Sequence, residues 1–68
     1  MTHEQIKEAR QELGLTLQQF AQVLDTDART IRRMETSPDN STHRAPAVRM
    51  VRLITAYRDG YRPADWPE

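Results

Sequence analysis

The sequence predicts an all-α domain, a compact bundle of four helices, from three observations. Apolar residues recur at intervals of three and four, the spacing that places them on one face of a helix. Short polar segments interrupt this periodicity and supply residues that cap helices. No segment alternates between apolar and polar residues as a half-buried strand does. The 68 residues leave room for a single domain, residues 1–68.

The first two helices are each predicted from a capping box, in which a threonine is followed three residues later by a glutamine. The box that begins at Thr2 predicts a helix at about 3–13. The box that begins at Thr16 predicts a second, shorter helix at about 17–24. Two helix starts this close together indicate two separate helices.

The last two helices are predicted from other signals. Asp27 can cap a third helix at about 28–36. Proline is tolerated in the first turn of a helix, so Pro46 predicts the start of a fourth at about 46–58. The tail, residues 61–68, is expected to be ordered, with one short fifth turn at Pro63–Trp66.

Charge is unevenly distributed along a chain whose formal net charge is zero. Residues 1–28 hold two basic and five acidic residues, whereas residues 29–62 hold eight arginines and three acidic residues. Nine of the ten basic residues are arginine, whose planar guanidinium suits phosphate and guanine. This clustering favours a polyanionic partner.

The third predicted helix separates its apolar and basic residues onto opposite faces. Ile31 and Met34 lie on one side of a helical wheel, and three arginines and an alanine lie on the other. Like charges on one face repel one another unless that face meets negative charge, which duplex DNA supplies. An arginine in the major groove can bind guanine O6 and N7 together. We therefore expect Ala28, Arg29, Arg32 and Arg33 to read bases.

A short capped helix, a turn of about three residues and a second short helix form the helix-turn-helix layout. Residues 14–24 and 29–35 resemble the phage-repressor class of this motif, the Cro or xenobiotic-response-element family. The resemblance implies a lambda-repressor-like fold with the helix from Ala28 as its recognition helix. It also implies contacts with DNA phosphates, which we assign to Thr16, Gln18, Thr30, Asn40, His43 and Arg44.

Two further expectations come from the resemblance. A basic residue on the first helix pairs with an acidic residue at the end of the recognition helix, and Arg10 and Glu35 match these positions. The alternative is that Arg10 extends to solvent along its aliphatic stem. The turn usually contains a glycine where this chain has Asp25, a residue that adopts the left-handed conformation at modest cost.

The family also implies a homodimer on an inverted repeat, with half-sites about one helical turn, roughly 34 Å, apart. The C-terminal part of the chain has more apolar surface than one short helix needs to cover. A dimer interface is one use of this surface. In a competing interpretation, Trp66 folds back over its own core. The residues assigned to the interface are Leu53, Tyr57, Tyr61 and Trp66.

The sequence argues against several other classes of protein. The two histidines, His3 and His43, have no partner at ligand spacing, so we expect no metal. No phosphate loop, paired carboxylates or activated nucleophile can be assembled, so we expect neither an enzyme nor a cofactor, and no small-molecule ligand is evident. Without a signal peptide or a long apolar segment, the protein is expected in the cytoplasm, away from membranes.

These observations favour a sequence-specific transcription regulator, a phage or prophage repressor that binds a palindromic operator in double-stranded DNA, with its own operon as one candidate target. Two alternatives remain open. The chain could be an antitoxin whose tail grips a toxin, or a protein-interaction module whose arginines meet an acidic partner. The segment Gly60–Pro63 is also similar to part of some regulators encoded beside anti-CRISPR genes.

Overall fold

The computed structural model describes residues 1–67 and contains four helices over that range, with no strand. This confirms the predicted all-α fold. The molecule is elongated, with principal dimensions of 35 × 19 × 19 Å. The helices are α1 (His3–Glu12), α2 (Leu17–Val23), α3 (Ala28–Met34) and α4 (Val48–Arg58).

Side chains cap the first three helices. Thr2 and Thr16 each accept a hydrogen bond from a backbone N–H three residues on, and the glutamine at that position accepts one from the threonine N–H in return. Asp27 caps α3 through a 2.7 Å hydrogen bond from the Thr30 N–H. These caps satisfy backbone donors that the first turn of a helix leaves unpaired.

The segment between α3 and α4 differs from the prediction at both ends. α3 ends at Met34 rather than at 36, and α4 begins at Val48 rather than at 46. The Arg44 N–H donates to the Arg33 carbonyl at 3.2 Å, so the chain runs beside the end of α3 before it turns into α4. Pro46 therefore precedes the helix, and Ala47 becomes an N-cap without a side-chain hydrogen bond.

The turn between α2 and α3 contains a left-handed aspartate. Asp25 has a φ of 56°, a conformation that aspartate adopts more readily than most residues. The next residue, Thr26, donates its N–H to the Ala21 carbonyl at 2.9 Å. This hydrogen bond caps the C-terminal end of α2, and the chain then turns into α3.

All four helices contribute to one apolar core. The contacts between α2 and α3 are extensive, and α1 packs against α4. No buried side-chain nitrogen or oxygen among the described residues lacks a hydrogen-bond partner. The largest side chains with essentially no exposed surface are Phe20, Ile6, Ile31, Met34 and Ile54.

The C-terminal tail folds back over the end of this core. The ring of Trp66 meets Tyr57 edge-on, with 5.0 Å between the ring centroids. Arg62 lies over Trp66, 4.3 Å from its ring centroid, and donates to the carbonyls of Tyr57 and Tyr61 at 2.7 Å each. The backbone N–H of Trp66 donates to the Pro63 carbonyl, and this hydrogen bond forms a single turn.

This arrangement corrects the assignment of Tyr57 to a dimer interface. Tyr57 is only 3% exposed, and its hydroxyl donates to the Val23 carbonyl, so the side chain is used within the monomer. Leu53 and Trp66 are half-buried against the same core. Trp66 therefore folds back over the core of its own chain, as the competing interpretation expects. Of the four assigned residues, Tyr61 alone is largely exposed, at 56%.

Among residues 1–67, no helix combines the length and the apolar character that crossing a membrane requires.

Candidate nucleic-acid interface

The basic face of α3 is directed away from the core. Ile31 and Met34 are buried at 0% and 1% exposure, which fixes the rotation of the helix about its axis. Arg29 and Arg32 are exposed on the other side, and Arg33 is half-buried. The fourth predicted base-reading residue, Ala28, is half-buried at the first position of the helix. Three guanidinium groups therefore extend from one short helix.

An acidic group stands at the start of this basic face. The carboxylate of Asp27 accepts a hydrogen bond from the backbone N–H of Thr30, which lowers its pKa, and the nearby hydroxyl of Thr30 lowers the pKa further. The positive charges of Arg29 and Arg33 lower the pKa further. Asp27 is exposed and stays ionised at neutral pH.

A groove of about 310 Å³ runs along one flank of α3. Thr30 projects into it from the helix, and Arg44 lines it from the segment that precedes α4. Two of the residues assigned to phosphate contacts are thus brought together. The groove is completed by Thr26, Met34, Ala45, Ala47 and Met50.

Thr26 is a groove residue that the sequence pattern does not predict. It lies in the turn rather than on either helix, so helical periodicity gives no indication of its direction. The available signal is its position next to the Asp27 N-cap, since the N-terminal residues of the second helix of a helix-turn-helix reach the DNA.

Hydrogen-bonded turns in the loop between α3 and α4 fix the position of Arg44. Asn40 accepts hydrogen bonds from the N–H and the hydroxyl of Thr42, at 2.9 and 2.7 Å, and its own N–H donates to the Ser37 carbonyl. The Arg44 N–H then donates to the Arg33 carbonyl. This bond joins the loop directly to the end of α3.

His43 is turned toward a different part of the molecule. Its Nδ1 lies 2.7 Å from the Thr36 carbonyl, and its ring lines a second groove of about 280 Å³ with His3 and the start of α1. It is not among the residues that line the groove of Thr30 and Arg44. Residues 1–67 contain no cluster of three or more histidine or acidic side chains suited to a metal ion.

The remaining predicted phosphate contacts lie on the outside of the protein. Thr16 and Gln18 are exposed at the start of α2, and Asn40 is exposed in the loop. The Thr16 oxygen is engaged in capping, which leaves its hydroxyl hydrogen available as a donor.

A bidentate ion pair joins α1 to the end of α3. Arg10 Nε and Glu35 Oε2 are 2.8 Å apart, and a second bond of 3.1 Å joins Arg10 Nη2 to Glu35 Oε1. Arg10 also donates to the Leu15 carbonyl at 3.1 Å. The two side chains are 17% and 9% exposed, so the pair is shielded from solvent.

The sequence pattern of a family described as helix-turn-helix matches residues 6–57, most of the chain and all the elements that form this surface. The chain belongs to this helix-turn-helix family. The family consists of DNA-binding transcription regulators of the Cro and C1 type rather than enzymes. The resemblance drawn from residues 14–24 and 29–35 is thereby confirmed.

Two other comparisons with this helix-turn-helix protein, one with curated proteins and one with solved structures, found no match. The similarity of Gly60–Pro63 to regulators encoded beside anti-CRISPR genes gains no support from the family match, which ends at residue 57.

Proposed function

We propose that this helix-turn-helix protein is a phage or prophage repressor that binds an inverted repeat as a homodimer, with α3 in the major groove. The observation that carries the proposal is the joint presentation of three arginines on α3 beside the groove that Thr30 and Arg44 line. A row of guanidinium groups fits base edges, and the hydroxyls and the guanidinium group that Thr26, Thr30 and Arg44 contribute to the flanking groove fit the adjacent sugar-phosphate backbone.

The residues have two different roles in this proposal. Arg29 and Arg33 read guanines, with Arg32 and Ala28 on the same face. Arg44 and Thr30 hold phosphates, joined by Thr16, Gln18 and Asn40 at the periphery. Because base contacts specify a sequence and phosphate contacts position the protein, mutations in the two sets have different consequences.

The homodimer is proposed on the resemblance and on the small size of the domain, since a 68-residue chain gains from additional burial. With Tyr57 inside the monomer, Tyr61 and the exposed edges of Leu53 and Trp66 remain for the contact. Recognition helices related by a twofold axis would reach half-sites about 34 Å apart.

Selection of bound duplexes from a random pool tests the central claim. We expect enrichment of a palindromic site with guanines in each half. On that site, Arg29→Ala and Arg33→Ala should each lose about 1–3 kcal/mol of binding free energy and relax the preference at one base pair. Arg44→Ala should weaken binding to all duplexes alike.

Arg52→Ala is the matched control, since Arg52 is exposed on α4 and does not line the groove. It should change binding less than any of the three variants. A uniform loss from Arg29, Arg33 and Arg44 variants would contradict the assignment of base reading, and an unselective pool would contradict sequence-specific binding altogether.

A further inference from the structure

The loop between α3 and α4 contains the only asparagine of the chain. Asn40 is exposed there, and it is followed by Ser41, which is also exposed and has a small side chain. The backbone nitrogen of a residue can attack the side-chain amide of a preceding asparagine, and a small side chain leaves that nitrogen accessible. Because both groups belong to one chain, the reaction is unimolecular and needs no second protein.

The hydrogen bonds of this loop leave the attacking nitrogen available. Within residues 1–67, they engage the backbone N–H groups of the residues on either side of Ser41 but not its own. The step from Asp59 to Gly60 has an even less hindered nitrogen, since glycine has no side chain. There the Gly60 N–H donates to the Tyr57 carbonyl at 3.1 Å, which holds the nitrogen in the last turn of α4. The structure therefore favours reaction at Asn40 over reaction at Asp59.

The amide that would be attacked is polarised by two donors. Asn40 Oδ1 accepts hydrogen bonds from the N–H and the hydroxyl of Thr42, at 2.9 and 2.7 Å. As the attacking nitrogen bonds to the amide carbon, negative charge develops on this oxygen. Donors that are already in place stabilise such a charge. The contacts that hold the Asn40 side chain therefore also activate it.

We propose that Asn40 is a site of spontaneous deamidation. The Ser41 nitrogen forms a bond to Asn40 Cγ, the Cγ–Nδ2 bond breaks, and ammonia leaves with the proton of the Ser41 N–H. One water molecule then opens the resulting cyclic imide at either carbonyl. Opening at Cγ gives aspartate, and opening at the main-chain carbonyl gives isoaspartate, in which the main chain runs through the former side chain.

Either product changes the loop that carries Arg44. Both place a carboxylate among the proposed phosphate contacts, where it repels DNA. Isoaspartate also adds one carbon to the main chain. The loop then cannot keep the present bond from the His43 N–H to the Asn40 carbonyl, and Arg44 follows directly. Deamidation therefore weakens DNA binding as the protein ages. This effect rests on the proposed function, whereas the chemical step does not.

Mass spectrometry of peptides from the folded protein, incubated for several weeks near neutral pH, tests the chemical step. The peptide that contains residue 40 should gain about one mass unit, from the exchange of ammonia for water. It should separate by chromatography into two isomers, aspartate and isoaspartate. The peptide that contains Asp59 and Gly60 should remain a single species.

Two substitutions outside the proposed DNA contacts test the role of the loop. Thr42→Val removes one donor to the amide oxygen and should slow deamidation roughly fivefold, the effect of one hydrogen bond worth about 1 kcal/mol. Ser41→Val places a β-branched side chain beside the attacking nitrogen and should slow it roughly tenfold. Thr55→Val is the matched control, since Thr55 is exposed on α4 and its hydroxyl donates to the Val51 carbonyl. It should leave the rate unchanged.

DNA binding is then compared between the deamidated protein and the fresh protein on the selected duplex. The deamidated form should bind roughly tenfold more weakly, as expected for one lost hydrogen bond to a charged group.

The inference is overturned if residue 40 keeps its mass, if Asp59 reacts faster than Asn40, or if Ser41→Val and Thr42→Val deamidate as fast as the unaltered protein. Equal binding by the fresh and the deamidated forms would overturn the effect on DNA. Failure of the proposed function has a separate sign, which is that the fresh protein binds no duplex. The mass change is measured without DNA and would still decide whether Asn40 is the modified residue.

Discussion

At the scale of single residues, Tyr57 ties α4 to α2. Its ring is buried and its hydroxyl donates to the Val23 carbonyl, 34 residues earlier in the chain. Tyr57→Phe removes the donor and leaves a buried carbonyl unpaired, which should lower the free energy of unfolding by about 1–3 kcal/mol. Urea unfolding followed by circular dichroism measures this loss. Tyr61→Phe, on an exposed ring, is the control and should change stability by less than about 0.5 kcal/mol.

The same residue predicts an alkaline limit to stability. Burial raises the pKa of Tyr57 above its usual value of 10.0, with Tyr61 and Asp65 adding to the shift. Folding therefore favours the neutral phenol. The stability that Tyr57 contributes is fully present below the pKa of tyrosine in the unfolded chain. It is lost as the pH rises through the higher pKa of Tyr57 in the folded protein. Unfolding free energies measured between pH 9 and about pH 11 should fall more steeply for the unaltered protein than for Tyr57→Phe. Parallel slopes would contradict the prediction.

At the scale of helices, the Arg10–Glu35 pair connects α1 to the end of α3. Removing either partner leaves a shielded charge without compensation, so Glu35→Ala should cost about 3 kcal/mol of unfolding free energy. The exposed pair of Arg58 and Glu12, 3.0 Å apart, offers a matched control. Glu12→Ala should cost less than about 1 kcal/mol. Similar losses from both substitutions would show that shielding at Glu35 has little effect.

The start of α4 has no side-chain cap. Ala47 occupies the N-cap in an extended conformation and offers no side-chain acceptor, unlike the caps of the other three helices. Ala47→Ser should therefore raise the free energy of unfolding by about 1 kcal/mol. Ala45→Ser, at an exposed position outside the helix, should have no comparable effect. Equal gains from both changes would rule out capping as the cause.

The start of α4 also marks where prediction from the sequence reaches its limit. Local signals predicted the caps at Thr2, Thr16 and Asp27, because each involves residues three apart. The hydrogen bond from the Arg44 N–H to the Arg33 carbonyl joins residues 11 apart. It holds the chain in a non-helical conformation before α4, and a local sequence pattern does not indicate a contact over this distance.

The proposed interface divides in the same way. Helical periodicity predicted that the arginines of α3 face away from Ile31 and Met34, because one helix determines that separation. The groove shared by Thr26, Thr30 and Arg44 joins three different segments, so its membership depends on the tertiary fold. The contact between Trp66 and Tyr57 also depends on the tertiary fold. A pattern of apolar residues does not say whether those residues pack within one chain or between two chains.

At the scale of the whole molecule, the formal net charge of zero conceals an acidic first part and a basic second part. Charges farther apart than the Debye length, about 8 Å at 0.15 M salt, interact weakly. DNA should therefore respond to the local charge around α3 and Arg44 rather than to the total.

Two substitutions separate local charge from total charge. Glu8→Lys alters an exposed position on α1, a helix that does not line the groove, and changes the net charge by two units. Arg44→Gln changes it by one unit within the groove. In titrations at 0.15 M salt, Arg44→Gln should weaken duplex binding more than Glu8→Lys strengthens it. Arg44→Gln should also reduce the slope of log affinity against log salt concentration by about one, the value for one lost phosphate contact. If Glu8→Lys has the larger effect, binding follows the overall charge and the groove loses its proposed role.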